Sequence, residues 1–254
     1  MEYMPNGDLS SNLEIAGRFS EDTVRNILAQ LFLALNELKK NCIIHGDIKL
    51  ENVLYSAAGG LIKLADFGLA FDMNTPKMSS VSGTPEYMAP ELILESRKSL
   101  ESDIWAVGIC AYEMIFGIPP FYDESAEKIL SKIVKKDEQI DFEIVNISKS
   151  AKDLIIKLLT FDYNDRISLE EAMKHEFFAS INWSKPPKVK LPELNSIFEE
   201  RNKRYESLQF YNKNTISTEV VTYEKGIFNQ KTSLPNQIDL LKLFPIKNLN
   251  KLQN

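Results

Sequence analysis

Between residues 21 and 40 apolar side chains return every three or four positions, at Val24, Ile27, Leu28, Leu31, Phe32, Leu35 and Leu38, behind a serine at position 20. That spacing predicts an amphipathic helix with one face to bury and Ser20 as its N-cap. The period then shortens. Runs at 42–45, 52–56 and 61–65 are β-rich, and Ala57-Ala58-Gly59-Gly60 between the last two supplies the backbone freedom of a tight hairpin. From residue 101 helical spacing resumes, with segments 123–136, 148–160 and 168–175 each opening near a capping residue. The expected body is mainly α with a short β-hairpin.

Residues 104–121, IWAVGICAYEMIFGIPPF, approach the length of a membrane span. Glu113 lies inside the run and Pro119-Pro120 ends it, so a core helix buried on all sides is the expectation. Gly108 in such a helix costs about 1 kcal/mol relative to alanine, which points to a close backbone approach. Beyond residue 180 the chain turns to Asn, Lys and Pro, with Pro186-Pro187 favouring irregular structure. Segments 196–208 and 238–243 read as helical there, and 219–223 as a strand.

Charge sharpens this division. The 254 residues carry 30 Lys plus Arg against 36 Asp plus Glu, a net −6. Segment 181–254 has 12 basic and 7 acidic residues, so a body of −11 is joined to an extension of +5. No chain-wide basic field recruits nucleic acid or an anionic membrane, and a basic tail of this kind reads as a solvated surface or a strap. Cys42, Cys110, His45 and His175 are too few and too scattered for a disulfide scaffold or structural zinc. The opening MEYMPNGD has neither a basic n-region nor an apolar h-region. A reduced intracellular chain, cytoplasmic or nuclear and without a membrane span, is expected.

The polar chemistry gathers at strand ends. The run CIIH leads into HGDIKLEN, 45–52, and the second hairpin strand ends in LADFG, with Asp66, Phe67 and Gly68. A lone DFG is a weak signal. Here it stands in an ordered series: His-x-Asp-x-Lys-x-x-Asn, a hairpin, Asp-Phe-Gly, GTPEYMAPE from Gly83 to Glu91, then Asp103-x-Trp105-x-x-Gly108. That series resembles the eukaryotic protein kinase signature set at every step. Lys49 two residues after Asp47, and Gly83-Thr84 before the A-P-E string, resemble the serine/threonine class.

The resemblance implies a protein-kinase-like large lobe over residues 1–180, with 181–254 an unassigned basic extension. It implies ATP and Mg²⁺ as cofactors and a protein Ser or Thr hydroxyl as phosphoryl acceptor. Asp47 and Lys49 would be catalytic, Asp47 as the carboxylate that orients the hydroxyl and Lys49 as balance for the transferring charge. Asn52 and Asp66 would supply oxygen ligands to the metal. MEYMPNGDL resembles the hinge between kinase lobes, placing Met1 at the gatekeeper, Glu2 and Met4 at the adenine edge and Asp8 near the ribose. Leu54 would form the adenine floor and Glu51 would lie by the ribose. Asp103 would hold the catalytic-loop backbone, and Glu91 would pair with Arg166.

The sequence also departs from the pattern. With Met1 at the gatekeeper, the small β-rich lobe is absent, and none of the ten glycines forms a G-x-G-x-x-G string. Only half of the nucleotide clamp is then expected, with weak ATP binding and little phosphotransfer. Two alternatives stay open: a non-catalytic interaction module, and a piece of a complete kinase. Gly46 stands where many kinases carry the arginine that receives a loop phosphate, so control through Ser79, Ser80 or Ser82 is expected to be weak. Leu50 replaces the usual proline. HEFFASINWSKPPKVKLPEL resembles the C-terminal extension of AGC-group kinases, including phosphoinositide-dependent kinase.

Overall fold

The computed structural model describes residues 4–74, 82–136, 138–143, 145–185 and 187–191. Glu2 of the expected adenine edge, Met1, Ser79 and Ser80 lie outside them, as do the tail segments 196–208, 219–223 and 238–243.

Helix α1 (Leu9–Ala16) opens on Asp8, whose carboxylate accepts the Ser11 N–H at 2.7 Å. Helix α2 (Glu21–Lys40) follows the predicted pattern, with Ser20 Oγ accepting the Thr23 N–H at 3.3 Å and Val24, Ile27, Leu28, Leu31, Phe32, Leu35 and Leu38 buried. Its acidic first turn and basic last turn complement the helix dipole. Strand β1 (Ile43–Ile44) precedes a hairpin of β2 (Val53–Ser56) and β3 (Leu61–Leu64), paired antiparallel with Val53 opposite Leu64 and Ser56 opposite Leu61. A fourth strand, β4 (Phe71–Asp72), returns to pair antiparallel with β1. This partner of β1 carried no signal in the sequence, because two residues are too short for a period to register.

The remaining elements are helical: α3 (Pro90–Glu95), α4 (Leu100–Phe116), α5 (Ala126–Ile133), α6 (Lys149–Leu158) and α7 (Leu169–Met173). Helix α5 is shorter than the 123–136 expected, since Ser125 Oγ caps at the Lys128 N–H. Asp123 stays outside the helix and pairs with Lys128 and Lys132 at 3.4 and 3.0 Å.

Helix α4 is the centre of the body, buried on nearly every face as its composition requires. It packs against α2 and α6, and Gly108 explains how. A Cβ at Gly108 would lie 2.8 Å from Leu159 Cδ2 and 2.9 Å from Leu158 Cβ, so only hydrogen permits this approach. Trp105 stacks on Phe121 at 6.0 Å between centroids, and Arg166 lies over the Trp105 ring at 5.1 Å. No helix of the described residues is long and apolar enough to cross a membrane.

The chain remains in contact with this body past residue 180. Trp183 packs on Phe178, and Val189 and Leu191 are buried. Val189 donates its N–H to the Gly60 carbonyl at 2.9 Å, while Gln30 Nε2 donates to Gly60 O and Pro187 O at 2.8 and 2.7 Å. One buried glutamine thus ties the segment to the hairpin turn.

Candidate active site

The loop between β1 and β2 is held from below by Asp103, in the first turn of α4. Its two oxygens accept the N–H groups of His45 and Gly46 at 2.8 and 2.9 Å. Burial pushes the Asp103 carboxyl up to about 6, and the two backbone donors with Lys98 pull the other way. The backbone hold expected of Asp103 is therefore present, and the helix N-terminus favours its charge.

His45 is fully buried and its pKa is lowered by desolvation, so it is neutral at pH 7. Its ring has one consistent tautomer. The Ala65 carbonyl, 3.0 Å from Nε2, can only accept, and the Asp47 N–H, 3.3 Å from Nδ1, can only donate. The proton is on Nε2. The ring also meets Phe67 edge-on at 4.9 Å, which links the DFG segment to the loop.

Asp47, Lys49 and Asn52 form one cluster. Asn52 Nδ2 donates to the Asp47 backbone carbonyl at 2.8 Å and to its carboxylate at 3.0 Å. Lys49 Nζ lies 3.5 Å from the same carboxylate and donates to Thr84 Oγ1 at 2.8 Å. This geometry follows from local folding: a single 3₁₀ turn over Leu50–Asn52 folds Asn52 back toward Asp47, five residues earlier. Asn52 O then accepts the Ala65 N–H at 2.8 Å, so the residue before Asp66 is fixed to the loop. Asp66 has φ of 59° and accepts the Gly68 N–H at 3.1 Å, with its side chain exposed.

With Asn52 Nδ2 committed to Asp47, the amide oxygen is the atom left for a cation, and Asp66 offers a carboxylate one residue after Ala65, whose N–H is bonded to Asn52 O. Two hard oxygen donors suit Mg²⁺, which commonly takes one or two protein oxygens and leaves the rest to phosphate and water. No cluster of three or more His, Cys, Asp or Glu able to hold a metal occurs among the described residues.

The expected hinge segment lies along β2. Gly7 O accepts the Tyr55 N–H at 2.8 Å, and Asp8 bridges to Leu54. Met4 is buried, Leu54 half-buried and Glu51 exposed in the 3₁₀ turn. The Asp8 carboxylate has a second duty as the α1 cap, which spacing alone did not reveal.

A family model described as the protein kinase domain matches residues 1–178. This chain belongs to the protein kinase domain family. It is 37% identical over 187 residues to a probable serine/threonine-protein kinase of Dictyostelium discoideum, covering 72% of this chain and 35% of that protein. To the cAMP-dependent protein kinase catalytic subunit PRKX of Homo sapiens it is 36% identical over 200 residues, 75% of this chain and 53% of the relative. To the human serine/threonine-protein kinase MRCK beta it is 32% identical over 210 residues, 78% and 12%. The chain thus spans from about an eighth to about half the length of these kinase relatives.

The segment after Gly83, expected to shape the substrate groove, is anchored by two carboxylates. Glu91 and Arg166, expected to pair, do so deep in the core, Nη1 and Nη2 meeting the two carboxylate oxygens at 2.7 and 2.9 Å. Tyr87 Oη donates to Glu113 Oε2 at 2.5 Å. Burial pushes Glu113 up to about 7, against the Tyr87 hydrogen bond and with the Glu51 and Glu86 charges adding to the rise. Lys98, which no motif marked, has its ammonium beside Gly46; only the folded chain brings the two together.

Proposed function

We propose that this chain is the large lobe of a serine/threonine protein kinase, which transfers the γ-phosphoryl group of ATP to a protein Ser or Thr hydroxyl. The observation that carries the reading is the Asp47, Lys49 and Asn52 cluster, with one amide orienting the Asp47 carboxylate and one ammonium beside it. Asp47 would orient the acceptor hydroxyl and take its proton as the oxygen bonds to phosphorus. Lys49 would offset negative charge on the transferring group while its bond to Thr84 keeps the substrate-side loop in register. Asn52 and Asp66 would hold Mg²⁺, which supplies charge neutralisation to the triphosphate when bound. Met4, Asp8, Glu51 and Leu54 would line the adenosine side, with Glu2 beyond the described residues. The AGC-like reading rests on the HEFFASINW run and the packing of Trp183 and Val189.

A second reading is a kinase-like module that binds partners without catalysis. Purified chain with millimolar Mg·ATP separates the two. The kinase reading expects weak binding, seen as a small thermal stabilisation by the nucleotide that is lost in Asp66→Asn, and only slow phosphate transfer to a generic Ser/Thr substrate, which Asp47→Asn abolishes. Neither stabilisation nor transfer would favour the module.

A further inference from the structure

Gly46 has φ of 74°, and a Cβ built on it would lie 2.9 Å from both Cε and Nζ of Lys98 and 3.1 Å from Leu69 O. The space that a side chain at position 46 would enter is thus filled by an ammonium from elsewhere, at the turn leading into α4. Lys98 Nζ donates to Ser82 Oγ at 3.4 Å. On the loop side it faces Asp103 and Asp47, whose charges favour the cation. A solvent-open depression lined by Gly46, Asp47, Ser82, Thr84, Lys98 and Asp103 marks where these segments meet.

We infer that Lys98 is a positioning residue: its charge clamps the 82–84 stretch of the substrate-side loop against the catalytic loop, through the space that glycine leaves at position 46. This rests on the kinase reading for its purpose, and goes beyond it by naming what fixes the two loops together. Lys49 makes the same crossing at the other end of the stretch, to Thr84. Two lysines therefore bracket Gly83, Lys98 bound to Ser82 and Lys49 to Thr84.

Electrostatics explains why a lysine stays charged there. Desolvation lowers the Lys98 pKa, while Asp103 and Asp47 act in the opposite direction. His45, a further titratable group that Lys98 faces among the described residues, is buried and neutral, so it adds no repulsion at pH 7. One ammonium already serves two carboxylates in this spot. The unmodified Ser82 hydroxyl already accepts from Lys98 Nζ at 3.4 Å. The clamp works without modification of Ser82.

Hydrogen–deuterium exchange on the full chain tests this, read at the amides of 82–84 with α2 as internal control. Lys98→Met keeps the stem and removes the charge; exchange at 82–84 is expected to rise about tenfold while α2 is unchanged. Lys98→Arg is expected to stay within about threefold of the parent. Raising the pH from 7 to 10, with intrinsic rates corrected, should erode protection more in the parent than in Lys98→Arg, since the arginine keeps its charge at that position. Ser82→Ala, which leaves Lys98 in place, should also raise exchange locally and serves if Lys98→Met does not fold. Parent-like protection in Lys98→Met would make Lys98 a space filler and overturn the clamp, as would a Lys98→Arg variant as unprotected as Lys98→Met. None of these readouts needs phosphoryl transfer. A chain that fails to bind Mg·ATP yet loses protection in Lys98→Met keeps the clamp and loses the kinase reading.

Discussion

Arg166 grips both carboxylate oxygens of Glu91, with the two side chains 0% and 2% exposed. The same guanidinium donates to the carbonyls of Thr160, Glu101 and Phe161, at 3.0, 2.7 and 3.3 Å. Through Glu91 it ties α3 to the loop before α7. Removing one partner strands a buried charge, so Arg166→Met or Glu91→Leu alone is expected to cost about 3–5 kcal/mol. The double variant should recover part of that loss, although three carbonyls lose a donor. Urea unfolding of the four species measures the coupling, and additive losses would show that the pair is not an energetic unit.

Gly108→Ala sets two effects against each other. Alanine gains about 1 kcal/mol in helix propensity. Its Cβ would sit 2.8–2.9 Å from Leu159 Cδ2 and Leu158 Cβ, and overpacking of this kind costs about 1–3 kcal/mol. Steric cost should win, because the Leu158 Cβ belongs to a helix and cannot swing aside. A lowered urea midpoint is expected; a raised one would mean that α4 and α6 separate freely.

Gln30 joins the hairpin to segment 187–191. Its Nε2 serves Gly60 O and Pro187 O, and its Oε1 accepts the Ile62 N–H at 2.7 Å. Gln30→Leu removes this partner from Pro187 O and the Ile62 N–H, while Gly60 O keeps the Val189 N–H, at a cost of about 1–3 kcal/mol. Limited proteolysis should cut near residue 187 sooner in the variant than in the parent. Equal cleavage rates would assign the hold on this segment to Val189 and Leu191 instead.

The Glu113 carboxyl, raised to about 7 from its ordinary value near 4.5, gives stability a pH signature. The folded state holds this proton more tightly than the unfolded chain does. Its contribution is full below about 4.5 and is lost as pH rises through about 7. Glu113→Gln cannot ionise and keeps an oxygen for Tyr87 Oη. At pH 8 the variant should gain on the parent by up to about 3 kcal/mol relative to their difference at pH 5. Asp103 also titrates higher in the folded state but is present in both chains, so it cancels. Parallel urea midpoints at the two pH values would show that Glu113 is solvated.

Much of the site was legible along the chain, since its parts are local. Asp47, Lys49 and Asn52 fall within six residues, and the turn that gathers them is a short-range event. Helix α2 and its Ser20 cap were legible for the same reason: period and capping chemistry are properties of neighbours. Asp103 and the Glu91–Arg166 pair were reached only by resemblance, because 58 and 75 residues separate the partners. The β1–β4 pair and the Asp8 cap carried no usable period.

By itself the sequence determined the order of the chemistry, the helical class, the buried character of α4 and the need for a small residue at 108. It could say that position 46 lacks a side chain, but not what stands in the space. Only the tertiary structure decided that Lys98 fills it, that His45 carries its proton on Nε2, and that Gln30 binds the segment past 180. Periodicity reports which face of an element is apolar. Which distant polar group a buried donor or charge then meets depends on how the elements pack, and no local pattern encodes that choice.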